Sequence, residues 1–213
     1  MKVNIGVLLA AGKGSRFANE TPKQLHPING KSIISYSSDI MAETLDKLVI
    51  VTNSTCFWQI ATTIQKNTIV LINDVDCRFK SIEIALDYIN GLSDVGNIVI
   101  HDAARPFITP KHILDLLEIA KTHQYSQYFL KLVNGLAKKT EAGYETANRD
   151  EFIELCTPQI ANYNLFKNVF FNFIKNGLEC EILSLTTSLD INYKLIEGSH
   201  KYLRKITTID DIY

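Results

Sequence analysis

No segment of this chain carries the roughly 18 consecutive apolar residues that a bilayer span requires; the run Ile5 to Ala11 is far shorter. The lysine at position 2 gives way at once to a strand-like pattern and then to glycines, which argues against a secretory leader. The expectation is a soluble, cytoplasmic protein without membrane contact. An excess of one charge is also lacking: 22 Lys+Arg face 23 Asp+Glu, for a formal net charge of -1. A duplex-binding surface needs a strong positive balance, so nucleic acid is not expected as a partner, while a local basic cleft stays compatible with these totals. Cysteine is sparse, at 56, 77, 156 and 180, and no pair is closely spaced. Zinc knuckles and CxxC redox sites therefore have no support, and the four are read as buried thiols. The five histidines form no HExxH pattern.

What remains is 213 residues with 46% hydrophobic content, enough for a core without metal or disulfide staples and too apolar for a disordered chain. The hydrophobic pattern alternates between short buried strands and helices. Strands are expected at Val3 to Ala10, Lys47 to Thr52, Thr68 to Ile72 and Asn97 to His101. Helices are expected at Lys31 to Ala42 (Ser32 as cap; Ile33, Ile34, Ile40 and Met41 as core), over 54–65 despite Thr62 and Thr63, and at Phe79 to Ile89, with Ile82, Ala85, Leu86 and Ile89 on one face. Another opens with Pro110 and runs to Ala120, its apolar set being Ile113, Leu114, Leu117 and Ile119. The alternation predicts an α/β fold, a mostly parallel sheet with helices on both faces. Ligands in such sheets sit beyond the carboxyl ends of strands. The polar clusters 12–24 and 102–106 both follow strands, which places them on one rim.

After about residue 126 the pattern changes. Tyr128 to Val133 suits a strand. Residues 134–151 are polar and too long for a plain loop, so a projecting hairpin or arm is expected. Phe152, Ile153, Leu155 and Cys156 resume the apolar pattern. Asn162 to Ile174 reads as a helix rich in Phe166, Phe170, Phe171 and Phe173, hence buried. Residues 180–213 alternate only weakly and end with a short segment from Ile206 to Tyr213.

The chemistry concentrates in LLAAGKGSRFANETPKQ, residues 8–24. Gly12 and Gly14 follow a strand directly, and glycines there let backbone N–H groups approach an anion. Arg16 and Lys23 add two positive charges, and Pro22 stiffens the approach to Lys23. The GxxxxGK spacing of a nucleotide hydrolase is absent, and GxGxxG fails because position 17 is Phe. A plain tight turn is the bland alternative to a polyphosphate cradle. Asp102, in HDAARP, lies just past a strand on the same rim; a carboxylate facing polyphosphate calls for a bridging cation such as Mg2+, unless it merely caps a turn or pairs with Arg105. His101 is read as a packed strand end and not as a base. Lys131, Lys138, Lys139 and Arg149 give the arm region local positive charge, which a solvated hairpin explains as well as a ligand does.

The blocks AAGKGSRF…TPKQ, HDAARPF at 101–107 and ETANRDEFIELCTPQ at 145–159, with a weaker EG…KIT at 197–207, resemble the 2-C-methyl-D-erythritol 4-phosphate cytidylyltransferase family, which includes D-ribitol 5-phosphate cytidylyltransferases. Order and spacing hold over nearly the whole chain. The resemblance implies a Rossmann-like sheet of the nucleotide-diphospho-sugar transferase type, one nucleotidyltransferase domain over 1–213, and a projecting β-arm at 134–152 that crosses between the subunits of a homodimer. It implies transfer of CMP from CTP to a small polyol phosphate with release of pyrophosphate. By the same resemblance Arg16, Lys23 and Lys205 are catalytic, and Ala10, Ala11, Gly12, Lys13, Gly14, Ser15, Ser81 and Asp102 bind the nucleotide. Asp102 also stands near Mg2+ and the acceptor, and Arg149 holds the acceptor phosphate in the partner's site. Arg105 is implied as a structural partner in its loop, and Thr157, Pro158 and Gln159 as a structural turn. Ser81 also reads as an ordinary first-turn helix residue.

Several family positions differ. The Gly-Gly pair before Arg78 is Asp74 and Val75; the Asp-Thr of the arm is Asn134 and Gly135; the Thr-Asp-Asp block leaves only Thr186, Thr187 and Ser188; and Leu203 replaces an Asn. These changes spare the triphosphate loop and touch the base and acceptor subsites. They keep open a sugar-phosphate nucleotidyltransferase using another NTP, a specialised polyol-phosphate enzyme, or a non-catalytic nucleotide-binding paralogue. A dinucleotide oxidoreductase is more distant, because the third loop glycine is absent.

Overall fold

The computed structural model describes residues 2–17, 21–63, 67–172, 183, 186 and 189–212. Strand β1 (Val3–Ala10) alternates its side chains between two apolar layers, Ile5 and Val7 entering one and Leu8 and Ala10 the other. Such two-sided burial is why the segment reads as a continuous apolar run and not as an alternating one. After the short hairpin of β2 (Pro27–Ile28) and β3 (Lys31–Ser32), α1 (Ile33–Thr44) leads to β4 (Lys47–Thr52), α2 (Ser54–Ala61) and β5 (Thr68–Ile72). Then come α3 (Arg78–Ile89), β6 (Val95–Asp102), α4 (Pro110–Ile119) and β7 (Tyr125–Lys131). The arm region forms the hairpin β8 (Leu136–Thr140) and β9 (Gly143–Ala147). It is followed by β10 (Ile153–Asn162), α5 (Tyr163–Asn172), β11 (Tyr193–Glu197) and α6 (His200–Leu203).

Among the described residues the main sheet has the order β11-β7-β10-β6-β1-β4-β5. Strands β5, β4, β1 and β6 pair in parallel, as do β7 and β11, and β10 is inserted antiparallel between β6 and β7. Helices α3 and α5 cover one face, and α1, α2 and α4 the other. The chain is therefore the mixed α/β architecture expected, with a mostly parallel sheet flanked by helices. The carboxyl ends of β1, β4, β5 and β6 share one edge, as parallel pairing requires.

Some local expectations are corrected. The helix expected over 54–65 ends at Ala61, with Thr62 and Thr63 in a turn; residues 64 and 65 lie outside the described residues. Both threonines return their hydroxyls to backbone carbonyls near the helix end, the local competition that weakens β-branched hydroxyl residues in helices. Ser32 stands at the cap position of α1, but its hydroxyl bonds Ser35 instead of a backbone N–H. In α4 the buried residues are Ile113 and Leu116, while Leu114 is 54% exposed. Cys56 and Cys156 are buried as expected; Cys77 is exposed, and Cys180 lies outside the described residues, as do Phe173, Thr187 and Ser188. Thr157, Pro158 and Gln159 are part of β10 and not of a turn. The register against β7 shifts there, and the Thr157–Pro158 peptide is cis. No helix among the described residues is long and apolar enough to cross a membrane.

Candidate active site

Strand β1 delivers Ala10 and Ala11, both buried, to the sheet edge and then opens into the glycine loop. The buried Gln24 amide donates to the carbonyls of Ala10 and Gly12, each at 2.6 Å, so the loop is folded back on its own start. Gly14 supplies the left-handed conformation that this return needs, with φ at +64°. A Cβ there would also stand 3.2 Å from the Lys23 Cβ, so an L-residue would be strained and crowded. At Gly12 an added Cβ would meet nothing within 4 Å: the space beside it is open.

Lys23 sits on the short 3-10 turn Lys23–Leu25 and extends its ammonium to the Ile206 carbonyl at 3.3 Å. Burial, then the neighbouring Lys205, and more weakly Arg16, lower its pKa below the ordinary lysine value. Lys205 is brought in by the backbone bond from Ile206 N–H to the Ala104 carbonyl. Its ammonium donates to the Asp102 carboxylate at 3.0 Å. Arg78, at the start of α3, approaches the other Asp102 oxygen at 3.7 Å. Burial works against the charged form of Asp102, yet Arg78 and Lys205 outweigh it and hold the carboxyl at about 2. The Asp102 N–H donates to the Thr157 hydroxyl, so β10 fixes the backbone beneath the carboxylate.

These groups line a cavity of about 190 Å³ bounded by Ala10 to Gly12, Lys23, Gln24, the stretch Val75–Arg78, Ser81, Asp102 and Lys205. Three cations thus surround one committed carboxylate, beside a loop whose backbone is open on the cavity side. Such an arrangement can accept an extended polyanion.

Placement of the other expected site residues is mixed. Asp102 pairs with Lys205 and Arg78, not with Arg105; the buried Arg105 guanidinium bonds the Leu203 carbonyl and lies 3.6 Å from Glu154. His101 is fully buried, its Nε2 against the Arg105 carbonyl, and burial pushes its pKa down to about 4. It is packed, as expected, and the lowered pKa keeps it neutral. Arg16 is exposed on the 3-10 turn Ser15–Phe17 and stands outside the cavity lining, as does Ser15. Lys13 is exposed and faces a second depression beside Asn53 and Asp74. Arg149 is exposed on the short 3-10 turn after the hairpin, donates to the Val133 carbonyl at 2.7 Å, and is not among the residues lining this cavity. Sequence reasoning missed the roles of Gln24 and Arg78. Arg78 lies on the same rim, since residues 73–78 also follow a parallel strand, β5, at that edge.

The matched family model, IspD, 2-C-methyl-D-erythritol 4-phosphate cytidylyltransferase, spans residues 4–213. Among curated relatives, the 2-C-methyl-D-erythritol 4-phosphate cytidylyltransferase of Caldicellulosiruptor bescii is 32% identical over 97% of this chain and 92% of its own. That of Thermosipho africanus is 29% identical over 98% and 95%. Among solved structures, the 4-diphosphocytidyl-2C-methyl-D-erythritol synthase of Anaerococcus prevotii superposes with a TM-score of 0.81 at 19% identity, covering 99% of this chain and 95% of that one. The Francisella tularensis 2-C-methyl-D-erythritol 4-phosphate cytidylyltransferase does so with 0.77 at 25% identity, covering 99% and 97%. A cation-lined cleft at the carboxyl ends of β1 and β6, in a fold and sequence matched end to end by these proteins, leads to one conclusion: the chain belongs to the 2-C-methyl-D-erythritol 4-phosphate cytidylyltransferase family.

Proposed function

We propose that the protein transfers CMP from CTP to a small polyol phosphate of the methylerythritol or ribitol phosphate type and releases pyrophosphate. The observation that carries this reading is the convergence of Lys23, Lys205 and Arg78 around Asp102 beside the open Gly12 backbone. An acceptor phosphate monoester, with a second pKa near 6, is largely ionised at neutral pH. Its oxygen attacks the α-phosphorus, a new P–O bond forms, and the bond to the bridging oxygen of pyrophosphate breaks. No proton has to be removed, which suits a cavity with no histidine among its lining residues.

Catalysis in this reading comes from alignment and charge compensation. Backbone N–H groups from Gly12 to Ser15 hold the β- and γ-phosphates, Lys23 balances charge at the reacting phosphorus, and Lys205 exchanges Asp102 for the α-phosphate. Arg16, on the exposed turn beside Lys23, joins when the triphosphate fills the loop.

Among the described residues no group of three or more His, Cys, Asp or Glu could hold a metal. The donors do fit Mg2+ in its usual nucleotide mode, in which one or two carboxylates and phosphate oxygens share the ion with water. Asp102 is a hard oxygen donor kept ionised in the cleft, and it is the residue that would hold Mg2+. When bound, the ion supplies charge neutralisation between nucleotide phosphates and protein. Arg149, which does not line its own cleft, acts in this reading across a homodimer: the 134–152 arm reaches the partner and the guanidinium binds the acceptor phosphate there, as a bidentate donor can.

The test is a matrix of CTP and UTP against methylerythritol 4-phosphate and ribitol 5-phosphate, read as pyrophosphate release with Mg2+. The expected result is release with CTP and one of the two acceptors. No release with either acceptor under conditions where Mg-CTP binds would instead favour a nucleotide-binding paralogue without turnover. Asp74 and Val75, which stand where the family has glycines, are the observation that makes the UTP arm necessary.

A further inference from the structure

Asn73, directly after β5, is 3% exposed, and its backbone N–H and both ends of its side-chain amide are engaged. Its N–H donates to the Thr52 carbonyl at 2.7 Å. Its side-chain oxygen accepts from Val75 N–H at 3.0 Å. Because that oxygen meets an N–H, the other end of the amide is the NH2 group, and it donates to the Ser81 hydroxyl at 2.8 Å and to the Cys77 carbonyl at 3.3 Å. One buried amide therefore ties β5, the loop over the cleft and the first turn of α3 into a single unit.

The polarity of this network has a consequence for Ser81, which is also 3% exposed and lines the cleft. An amide NH2 can only donate, so the Ser81 oxygen is an acceptor toward Asn73. Its own proton must go elsewhere. Within the protein its partner is the Cys77 carbonyl at 3.4 Å, a long and poorly committed bond that already shares its acceptor with Asn73. We propose that Asn73 is a positioning residue that commits the Ser81 hydroxyl to donating its proton into the cleft, to an acceptor oxygen of the bound nucleoside. This rests on the nucleotide reading above and adds to it the sense of one hydrogen bond and the residue that sets it. Asp74, whose carboxylate accepts from Ser54 N–H at 2.7 Å, fastens the same loop to α2 from its other side.

Asn73→Asp is nearly isosteric but accepts where Asn73 donates, so it draws the Ser81 proton toward position 73 and leaves only lone pairs facing the cleft. The expected result is a rise of about tenfold in the KM for CTP, the scale of one hydrogen bond, with kcat changed by less than about threefold. In a Ser81→Ala background there is no hydroxyl to turn, so Asn73→Asp should add less than about twofold. Equal costs in the two backgrounds would overturn the proposal, because a merely structural asparagine damages the loop whether or not Ser81 is present. If Asn73→Asp fails to fold, Asn73→Ala carries the same cycle: coupling to Ser81 supports the proposal and additivity overturns it. Repeating the cycle with 2′-deoxy-CTP identifies the acceptor, since coupling that persists points to the base and coupling that vanishes points to the sugar; both are results of the proposal. A failure of the nucleotide reading looks different: Ser81→Ala and Lys23→Ala would both leave CTP binding unchanged.

Discussion

Lys23 holds its proton less firmly than an ordinary lysine, because burial and then Lys205 disfavour its charge. Its charge is the one the proposed chemistry needs, so kcat/KM for CTP should fall on the alkaline side at a pH below the usual lysine range. The profile of the free enzyme reports this group, and Lys23→Arg, which stays protonated, should move the limb upward; an unchanged limb would dissociate Lys23 from nucleotide capture. His101 makes a second pH statement, about stability. Its pKa of about 4 in the fold is below the ordinary value of 6.5, so between those values the unfolded chain binds a proton that the folded one refuses. Stability from this group is therefore present above 6.5 and is lost as pH falls toward 4. Denaturant unfolding across that window should show the fall, and His101→Gln should make it shallower. Gly14 was legible in the sequence as a glycine of the loop, but which of the two glycines carries the backbone constraint was not: the answer depends on φ and on Lys23 packing behind it. Gln24 and Asn73 were illegible as site residues for a similar reason. Their importance lies in which carbonyls and hydroxyls they reach, and a local pattern of polar residues does not record that.

At the scale of elements, segments whose burial is two-sided or strictly periodic were readable: β1, β4 and β5 stand at the residues expected, and α3 buries Ile82, Ala85, Leu86 and Ile89. Errors arose where the pattern allows more than one phase. In α4 the run ILDLL accommodates two apolar stripes, and packing against the sheet selects Ile113 and Leu116, turning Leu114 to solvent. Cys77 escaped the expectation of burial because it is the cap of α3 at the cleft mouth. The hairpin of β8 and β9 pairs only within itself among the described residues, from Leu136↔Ala147 to Thr140↔Gly143. An isolated two-stranded hairpin is marginal in water, and this one leaves Tyr144 77% exposed, with Val133 and Phe152 also exposed at its base. Both facts are accounted for if the arm packs on a second subunit. Arg149→Ala should then raise the KM for the polyol phosphate by more than about tenfold, the loss of a charge-assisted pair, and leave the KM for CTP within about twofold. A defect in CTP binding instead would place Arg149 at the nucleotide.

Over the whole molecule, the shared rim was the most legible feature of the site in the sequence, because parallel strands must send their carboxyl ends to one edge. It joined residues 12–24 to 102–106 across a wide separation in the chain, and the cavity includes residues of both. The insertion of antiparallel β10 between β6 and β7 was not legible. That placement follows from long-range pairing, yet it matters to the site, since Thr157 of β10 anchors Asp102. Lys205 reaches the same carboxylate from the last part of the chain, so the proposed centre draws on segments spread through nearly the full sequence. The nucleotide reading requires that this shared edge seat a nucleoside triphosphate. Calorimetric titration of Mg-CTP into the wild-type protein and into Lys23→Ala, with the fold of both verified by circular dichroism, decides whether it does. The wild type should bind, and the variant should lose at least about tenfold in affinity, as expected for removing one charged partner of a phosphate. Equal affinity in the two proteins, or no heat of binding in either, would contradict it.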